Sequence, residues 1–577
     1  MSVQIFLRGK LLGIEQFLAA HAHAGQPAGH SLVAGRAHFV SLLSEVLPRA
    51  LLAELGLARI LLGTSGGGKF FVVLPQESLP AAQDFLTAAA TDLHRISGQH
   101  LRLVWTSTEN LGDWTIVRRR LAEELWRREH SSPEALAEAA FLPVAAIPAE
   151  GEDQYFSDVL AAGVREASSY GWSPETPGRV LLNEGKHTWP AGGVEGITIA
   201  RQAALDDAAA HIASTADLAA RSTGLPAWGI LRGEVDGFAI RLRRAQTIEE
   251  FLQLSVSFKQ FFAGELEVAC TMPDFWRKVS VLYSGEDGFA VYGSWDALLQ
   301  LAREFQRLFH RFAEANLKEL PGPEGKTATM ALELAPAVDT PFATVLEAAA
   351  RSLDIAKAAD KDCLHIFGRT VEWRHVNHAS DLKEMMLRMV RQFRCPPEFL
   401  EELSAFYREK AATRNDRPWR YYRRLAVVLG DFKDRELQRL QKALITDIVG
   451  KSATQVKLRP AGRVAVEWAR LLAGPVIAPQ EQLVAVAVAD LPEEPVHAPV
   501  EEQWMPGVEA AEEIEAVEVT ETVEAVEVTE AVEVTEEAVE AVEHEAAEET
   551  VEAAAVPSED EAPAAEPVPD DSGTQER

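Results

Sequence analysis

The stretch Val279-Ser-Val-Leu-Tyr-Ser-Gly-Glu-Asp-Gly-Phe-Ala-Val-Tyr-Gly293 decides how the chain is read. Two apolar runs rich in β-branched and aromatic residues flank a short polar break with two glycines, the pattern of a β-hairpin. Glu286 and Asp287 stand at its tip beside Gly285. Adjacent carboxylates on a tight turn can hold a divalent cation over phosphate oxygens, because Mg²⁺ prefers hard oxygen ligands. The same residues also make an ordinary polar turn, so the hairpin alone leaves both readings open.

Working outward, the hairpin sits in an α+β unit over 226–376. Trp228–Leu231 and Ala239–Arg243 read as strands flanking Gly233-Glu-Val-Asp-Gly-Phe238, and Ile248–Phe262 reads as a helix. Leu298, Leu301, Phe305, Leu308 and Phe312 form one helical stripe after the hairpin. Thr329–Leu334 is a predicted strand and Phe342–Ala358 a helix; Cys363–Phe367 and Thr370–Trp373 close the unit. Residues 1–150 alternate in the same way. Val3–Leu7, Arg59–Gly63, Phe70–Leu74 and Leu101–Thr106 are predicted strands; Ile14–Ala22, Ala37–Leu57 and Ala81–Ile96 are predicted helices. Thr64-Ser-Gly-Gly-Gly-Lys69 joins the middle two strands. Residues 151–225, with Pro174, Pro177 and Pro190, read as a connector. Residues 377–475 read as a helical domain rich in Arg and Lys.

The net charge of −32 is local. Residues 481–577 hold 31 Asp/Glu against one Lys/Arg, a net of −30, which leaves −2 for the first 480 residues. The globular part therefore gives no global electrostatic argument about nucleic acid. Val-Glu-Val-Thr-Glu recurs at 517–521, 526–530 and 532–536, so 476–577 is expected to be a disordered, solubilising acidic tail. Three cysteines, Cys270, Cys363 and Cys395, exclude a four-cysteine zinc ribbon within one chain and fit a reducing compartment. No apolar run is long enough to span a membrane and the N-terminus has no signal pattern, so a cytoplasmic protein is expected. His21, His23, His30 and His38 fall close together in sequence without a ligand spacing. Arg414-Asn-Asp-Arg-Pro-Trp-Arg-Tyr-Tyr-Arg-Arg424 interleaves arginines with aromatics; it reads equally as a base-stacking surface or as a packed helix face.

Taken in order, these motifs resemble one family over residues 1 to about 475: the large palm-containing subunit of type III CRISPR effector complexes, the cyclic-oligoadenylate synthetase subunit. Gly13-Ile-Glu-Gln-Phe17, Ser31-Leu-Val-Ala-Gly-Arg36 and Gly66-Gly-Gly-Lys-Phe70 are similar to the first-palm motifs. Glu234-Val-Asp236, Ser284-Gly-Glu-Asp287, Leu353-Asp-Ile-Ala-Lys357 and Thr370-Val-Glu-Trp373 are similar to the second-palm motifs. The resemblance implies two ferredoxin-like palm domains. It implies a metal site of Glu234, Asp236, Glu286 and Asp287 for Mg²⁺ or Mn²⁺, with Glu286, Asp287 and Glu234 catalytic. Ser284, Gly285, Lys357, Gly67 and Gly68 would contact the ATP substrate. Guide RNA, target RNA and the backbone-type and small CRISPR subunits would be the partners. The chain departs from the family pattern in three ways. It starts at the first palm, so no histidine-aspartate nuclease domain is expected. The zinc-ribbon cysteines are missing. The Gly-Gly-Asp-Asp signature reads Ser284-Gly-Glu-Asp287, with Glu234 in place of a first-strand Asp. These substitutions leave three readings: a nucleotidyltransferase making cyclic oligoadenylate, a catalytically silent scaffold in the same complex, and a stand-alone GGDEF-like cyclase. Ser284 would be strained if its backbone needed a positive φ.

Overall fold

Both α+β stretches fold as β-α-β-β-α-β, and their sheets share one strand order. The computed structural model describes residues 3–22, 29–130, 152–193, 195–359, 361–412, 427, 434–448 and 460–474. In the first unit, β1 (Gln4–Leu12), β2 (Leu62–Gly66), β3 (Lys69–Pro75) and β4 (Arg102–Glu109) lie in the order β2-β3-β1-β4, all antiparallel. A three-stranded sheet follows: β5 (Ser169–Trp172), β6 (Leu181–Leu182) and β7 (His187–Pro190). The second unit has β8 (Trp228–Val235), β9 (Val279–Ser284), β10 (Gly288–Ser294) and β11 (Ala328–Leu334) in the order β11-β8-β10-β9. Counted from each unit's own first strand, that is the first unit's order, and it is the ferredoxin-like arrangement. The second sheet is then extended by β12 (Cys363–Ile366), parallel to β11, and β13 (Arg369–Glu372).

Helix His30–Glu54 joins the units. It is buried on nearly every side from Leu32 to Leu52, as expected of a helix enclosed by other elements. Phe39, Leu43 and Val46 pack in the first unit's core, while Val33 and Ala37 pack with Trp228, Ile230 and Tyr292 of the second. With no polar face its stripe is indistinct, and for that reason the sequence places its start at Ala37, seven residues late. The connector is welded to the same helix. Tyr155, Phe156 and Trp172 share the first unit's core, and Phe156 packs edge-on to Phe39 at a centroid distance of 5.2 Å.

Three boundaries move. Ala239–Arg243, expected as a strand, lies in helix Phe238–Arg244, because β8 continues through Gly233-Glu-Val235. The first hairpin's strands run to Gly66 and from Lys69, leaving Gly67-Gly68 as the turn, while Arg59–Leu61 is a 3₁₀ turn. Helix Ile248–Gln260 passes into a π-helical turn, Phe261–Glu265. Helices Trp373–Arg391, Glu398–Ala412, Arg435–Ile448 and Pro460–Ala473 follow the second unit. Leu437, Leu444 and Trp468 join that unit's core, with Lys383 Nζ 4.4 Å from the Trp468 ring centroid. The arginine-aromatic stretch 414–424 and the acidic tail lie outside the described residues. No described helix is long and apolar enough to cross a membrane.

Candidate functional site

Strand register builds the site. Gly288 of β10 lies opposite Glu234 of β8, and the Asp287 carbonyl accepts the Val235 N–H at 2.7 Å. A Cβ on Gly288 would stand 3.0 Å from Glu234 Cγ, so the Glu234 side chain lies across the space the glycine leaves. Lys357, in the last turn of helix Phe342–Ala359, donates to Glu234 Oε2 at 2.5 Å. Lys69, from the first unit's hairpin, reaches Asp287 Oδ2 at 3.3 Å. Charges therefore alternate across the paired strand ends: Lys357, Glu234, Asp287, Lys69. Burial opposes the Lys357 charge. The Glu234 hydrogen bond and the charges of Glu234, Asp354 and Asp287 outweigh it and raise the lysine above its ordinary range.

The other two predicted carboxylates are held elsewhere. Asp236 is buried, and its oxygens accept from Thr327 Oγ1 at 2.7 Å, Thr329 Oγ1 at 2.8 Å and the Asp362 N–H at 3.0 Å. It ties the end of β8 to β11 and to the approach to β12. Glu286 is 5% exposed and has no hydrogen-bond partner among the described residues. Burial pushes its carboxyl up; the charges of Lys69, Arg8 and Lys259 pull it back only in part, and Asp287 adds to the rise. Glu234 and Asp287 thus come together, while Asp236 and Glu286 do not join them. Among the described residues no group of three or more His, Cys, Asp or Glu is arranged to hold a metal; His23, one of the four N-terminal histidines, lies outside those residues.

The two glycine turns meet tip to tip. Gly66, Gly67 and Gly68 have φ of 125°, 58° and 77°. A Cβ on Gly67 would fall 2.6 Å from Gly285 Cα, and one on Gly285 would fall 3.3 Å from Gly67 Cα. Ser284 and Gly285 do not adopt positive φ, so serine at 284 carries no backbone strain. Gly285 serves the close approach instead.

Beneath the contact lies a buried ionic cluster. Glu45 Oε2 accepts from Arg49 Nη1 at 2.6 Å and from Ser65 Oγ at 2.9 Å, while Lys259 Nζ stands 2.7 Å from Glu45 Oε1. Arg8, Glu45 and Lys259 carry no motif. They are legible only once the sheet order is known.

Residues 227–365 match the family described as Cas10/Cmr2, second palm domain. No curated protein matches the chain. Among solved structures it is similar to a chain of the apo Csm1–Csm4 cassette, with TM-score 0.63 and 16% identity over 82% of this chain and 70% of that one. It is similar at TM-score 0.61, with the same identity and coverage, to a chain of the Csm1–Csm4 subcomplex in the type III-A CRISPR-Csm interference complex. The same figures hold for a chain of the Csm1–Csm4 cassette in complex with cA4. At that identity the likeness is one of fold.

Proposed function

We propose that the chain is the large palm-type subunit of a type III CRISPR effector complex, and that the surface carrying Glu234 and Asp287 beside its two joined hairpins binds the phosphates of ATP for synthesis of cyclic oligoadenylate. The observation that carries this reading is the meeting of Glu234 and Asp287 beside the joined glycine turns, with one lysine from each unit, inside the segment that matches the second palm domain. Similar solved structures hold AMPPNP and one ATP, which favours the same ligand class here. Glycines 67, 68 and 285 present no side chain to an approaching phosphate, and Lys357 and Lys69 carry the charge to face it.

Mg²⁺ is usually held by one or two carboxylates together with substrate phosphates. Glu234 and Asp287 fit that requirement for Mg²⁺ or Mn²⁺; a four-carboxylate set with Asp236 and Glu286 does not. When bound, the cation would neutralise phosphate charge and lower the pKa of an attacking ribose hydroxyl. This chain's own part would be to orient the nucleotide: Glu234 and Asp287 are the residues that would hold the cation, and Lys357 and Lys69 the charges that would face phosphate. Guide RNA, target RNA and the backbone-type and small subunits are the proposed partners.

One experiment tests the reading. The assembled complex is given matched target RNA, ATP and Mg²⁺ or Mn²⁺, and oligoadenylate is sought by chromatography. Product that disappears in Asp287→Asn and Glu234→Gln supports it. The second reading, a silent scaffold of the same complex, is favoured by the lysine-paired carboxylates and the buried Glu286. Absence of both product and ATP binding in the wild type would leave only the scaffold.

A further inference from the structure

Lys259 belongs to the second unit, near the end of helix Ile248–Gln260, yet its ammonium lies in the first. It stands 2.7 Å from Glu45 Oε1 and donates to Ser65 Oγ at 3.1 Å. Ser65 is the residue before the Gly66-Gly67-Gly68 turn. A Cβ on Gly66 would lie 3.2 Å from Glu45 Oε1 and 3.6 Å from Lys259 Cε, so the turn rests directly on the ion pair. Ser44, the neighbour of Glu45, accepts the Gly68 N–H at 2.9 Å through its Oγ. A small cavity lined by Glu45, Lys259, Gly66, Gly67, Ser284 and Gly285 joins the pair to both tips. The helix widens to a π turn immediately after Gln260, an irregularity that re-aims neighbouring side chains and is frequent at functional sites.

We infer that Lys259 is a positioning residue, which pins the first unit's glycine turn against the Ser284–Asp287 turn through Glu45 and Ser65. Two physical facts support this role over simple adhesion. The Glu45 side chain is 2% exposed, so its charge is strongly disfavoured without close cations, and Lys259 is the cation that comes from the other unit. The pair also fixes a turn whose three consecutive positive-φ glycines have no side chains to hold it. The pin operates whether or not the site is catalytic.

The test is hydrogen exchange on the full chain, followed by mass spectrometry. In Lys259→Met, amides of 62–72 and 282–290 should exchange at least tenfold faster, with β4 and helix Trp373–Arg391 unchanged. Lys259→Arg, which keeps the charge and the donors, should restore protection. Unchanged hairpins, or equal acceleration everywhere, would overturn the inference. Should Lys259→Met fail to fold, Lys259→Gln, which keeps a donor for Glu45 and loses only the charge, takes its place; hairpin protection at the wild-type level in that variant refutes the pin, and its selective loss supports it. Where the complex makes oligoadenylate, KM for ATP should rise about tenfold in Lys259→Met with kcat nearly unchanged. A wild type that makes no product refutes the catalytic reading alone and leaves the exchange result intact.

Discussion

The turns Gly66-Gly-Gly-Lys69 and Ser284-Gly-Glu-Asp287 occupy equivalent places in two sheets of one topology, but they are built on different principles. The first is a backbone device: three consecutive residues take positive φ, and its charged member, Lys69, reaches across to the other turn. The second keeps ordinary φ at Ser284 and Gly285 and carries the carboxylates. Each also has a buried glutamate close by. Glu45, beneath the first turn, is satisfied by Lys259, Arg49 and Ser65. Glu286, within the second, has charge nearby but no hydrogen-bond partner among the described residues. A duplicated fold has divided its labour, shape on one side and charge on the other.

The largest expected effect follows from breaking the satisfied glutamate. Burial opposes the Glu45 charge, but Lys259 and Arg49 outweigh it and hold the carboxyl below its ordinary value. A depressed carboxyl contributes stability above the unfolded-state value, and loses it as pH falls through the folded one. Glu45→Gln should therefore cost about 3–5 kcal/mol near neutral pH, the cost of leaving buried cations uncompensated. Urea unfolding should show the cost shrinking as the pH is lowered. A cost under about 1 kcal/mol would mean that water, not Glu45, compensates Lys259 and Arg49.

Next comes the contact itself. Gly67→Ala needs a positive φ and would drive a methyl group to 2.6 Å from Gly285 Cα. Strain of about 1–2 kcal/mol and overpacking of similar size give a total of about 3 kcal/mol. Gly285→Ala meets only a 3.3 Å approach, without strained φ; its cost should be about 1 kcal/mol. Equal thermal shifts for the two substitutions would erase the distinction between the turns.

How much of this is written in the sequence differs between the same two places. The hairpin at 279–294 is legible to within a residue, because β-branched and aromatic runs stop sharply at polar residues and glycine. Fold class follows from two such alternating stretches. The first strand of the hairpin at 62–75 is read three residues early at both ends, because Arg59–Leu61 forms a 3₁₀ turn and Thr64-Ser65-Gly66 has loop composition but pairs as strand. Lys357 and Glu234 both fall in motifs read as one site, as contacts to nucleotide and metal rather than to each other, whereas Lys259 and Glu45 fall in none. Those two residues are 214 positions apart, each alone reads as an ordinary helix charge, and only the packing of one unit on the other makes them neighbours. Asp236 misleads for a similar reason. The spacing Glu234-Val-Asp236 promises two carboxylates on one face, but the strand ends at Val235, and two threonines and an N–H take up the second carboxylate.

That separation gives a third prediction. Asp236→Asn loses acceptor capacity inside a buried network and should cost about 2 kcal/mol of stability, with little direct effect on ATP affinity. Glu234→Gln should do the reverse, because its partner Lys357 is itself half-exposed and an exposed pair contributes little to stability. Calorimetry of unfolding and of ATP binding on both variants separates the two roles. A matched loss of affinity in Asp236→Asn would return that residue to the binding site.

Glu286 should respond with the opposite sign to Glu45. Its carboxyl is raised, so its contribution to stability is present below the unfolded-state value and is lost as pH rises through the folded one. Glu286→Gln should be more stable than the wild type at neutral pH by about 1 kcal/mol, since it removes a buried charge without a hydrogen-bond partner. The gain should vanish on acidification. A destabilised Glu286→Gln would mean that Lys69, Arg8 and Lys259 already compensate the ionised form.

The smallest effect is the most diagnostic for the altered signature. Ser284 pairs with Phe289 at the end of β9 and needs no positive φ. Ser284→Gly therefore relieves no strain and adds unfolded-chain entropy, for a loss of about 0.5 kcal/mol. If glycine at 284 nonetheless raises oligoadenylate synthesis in the assembled complex, the benefit must come from room for phosphate beside the strand end, since the backbone was never the obstacle. If synthesis responds only when Glu234 is also changed to Asp, carboxylate reach beside the second turn sets the activity, and the contrast with the glycine-built first turn is complete.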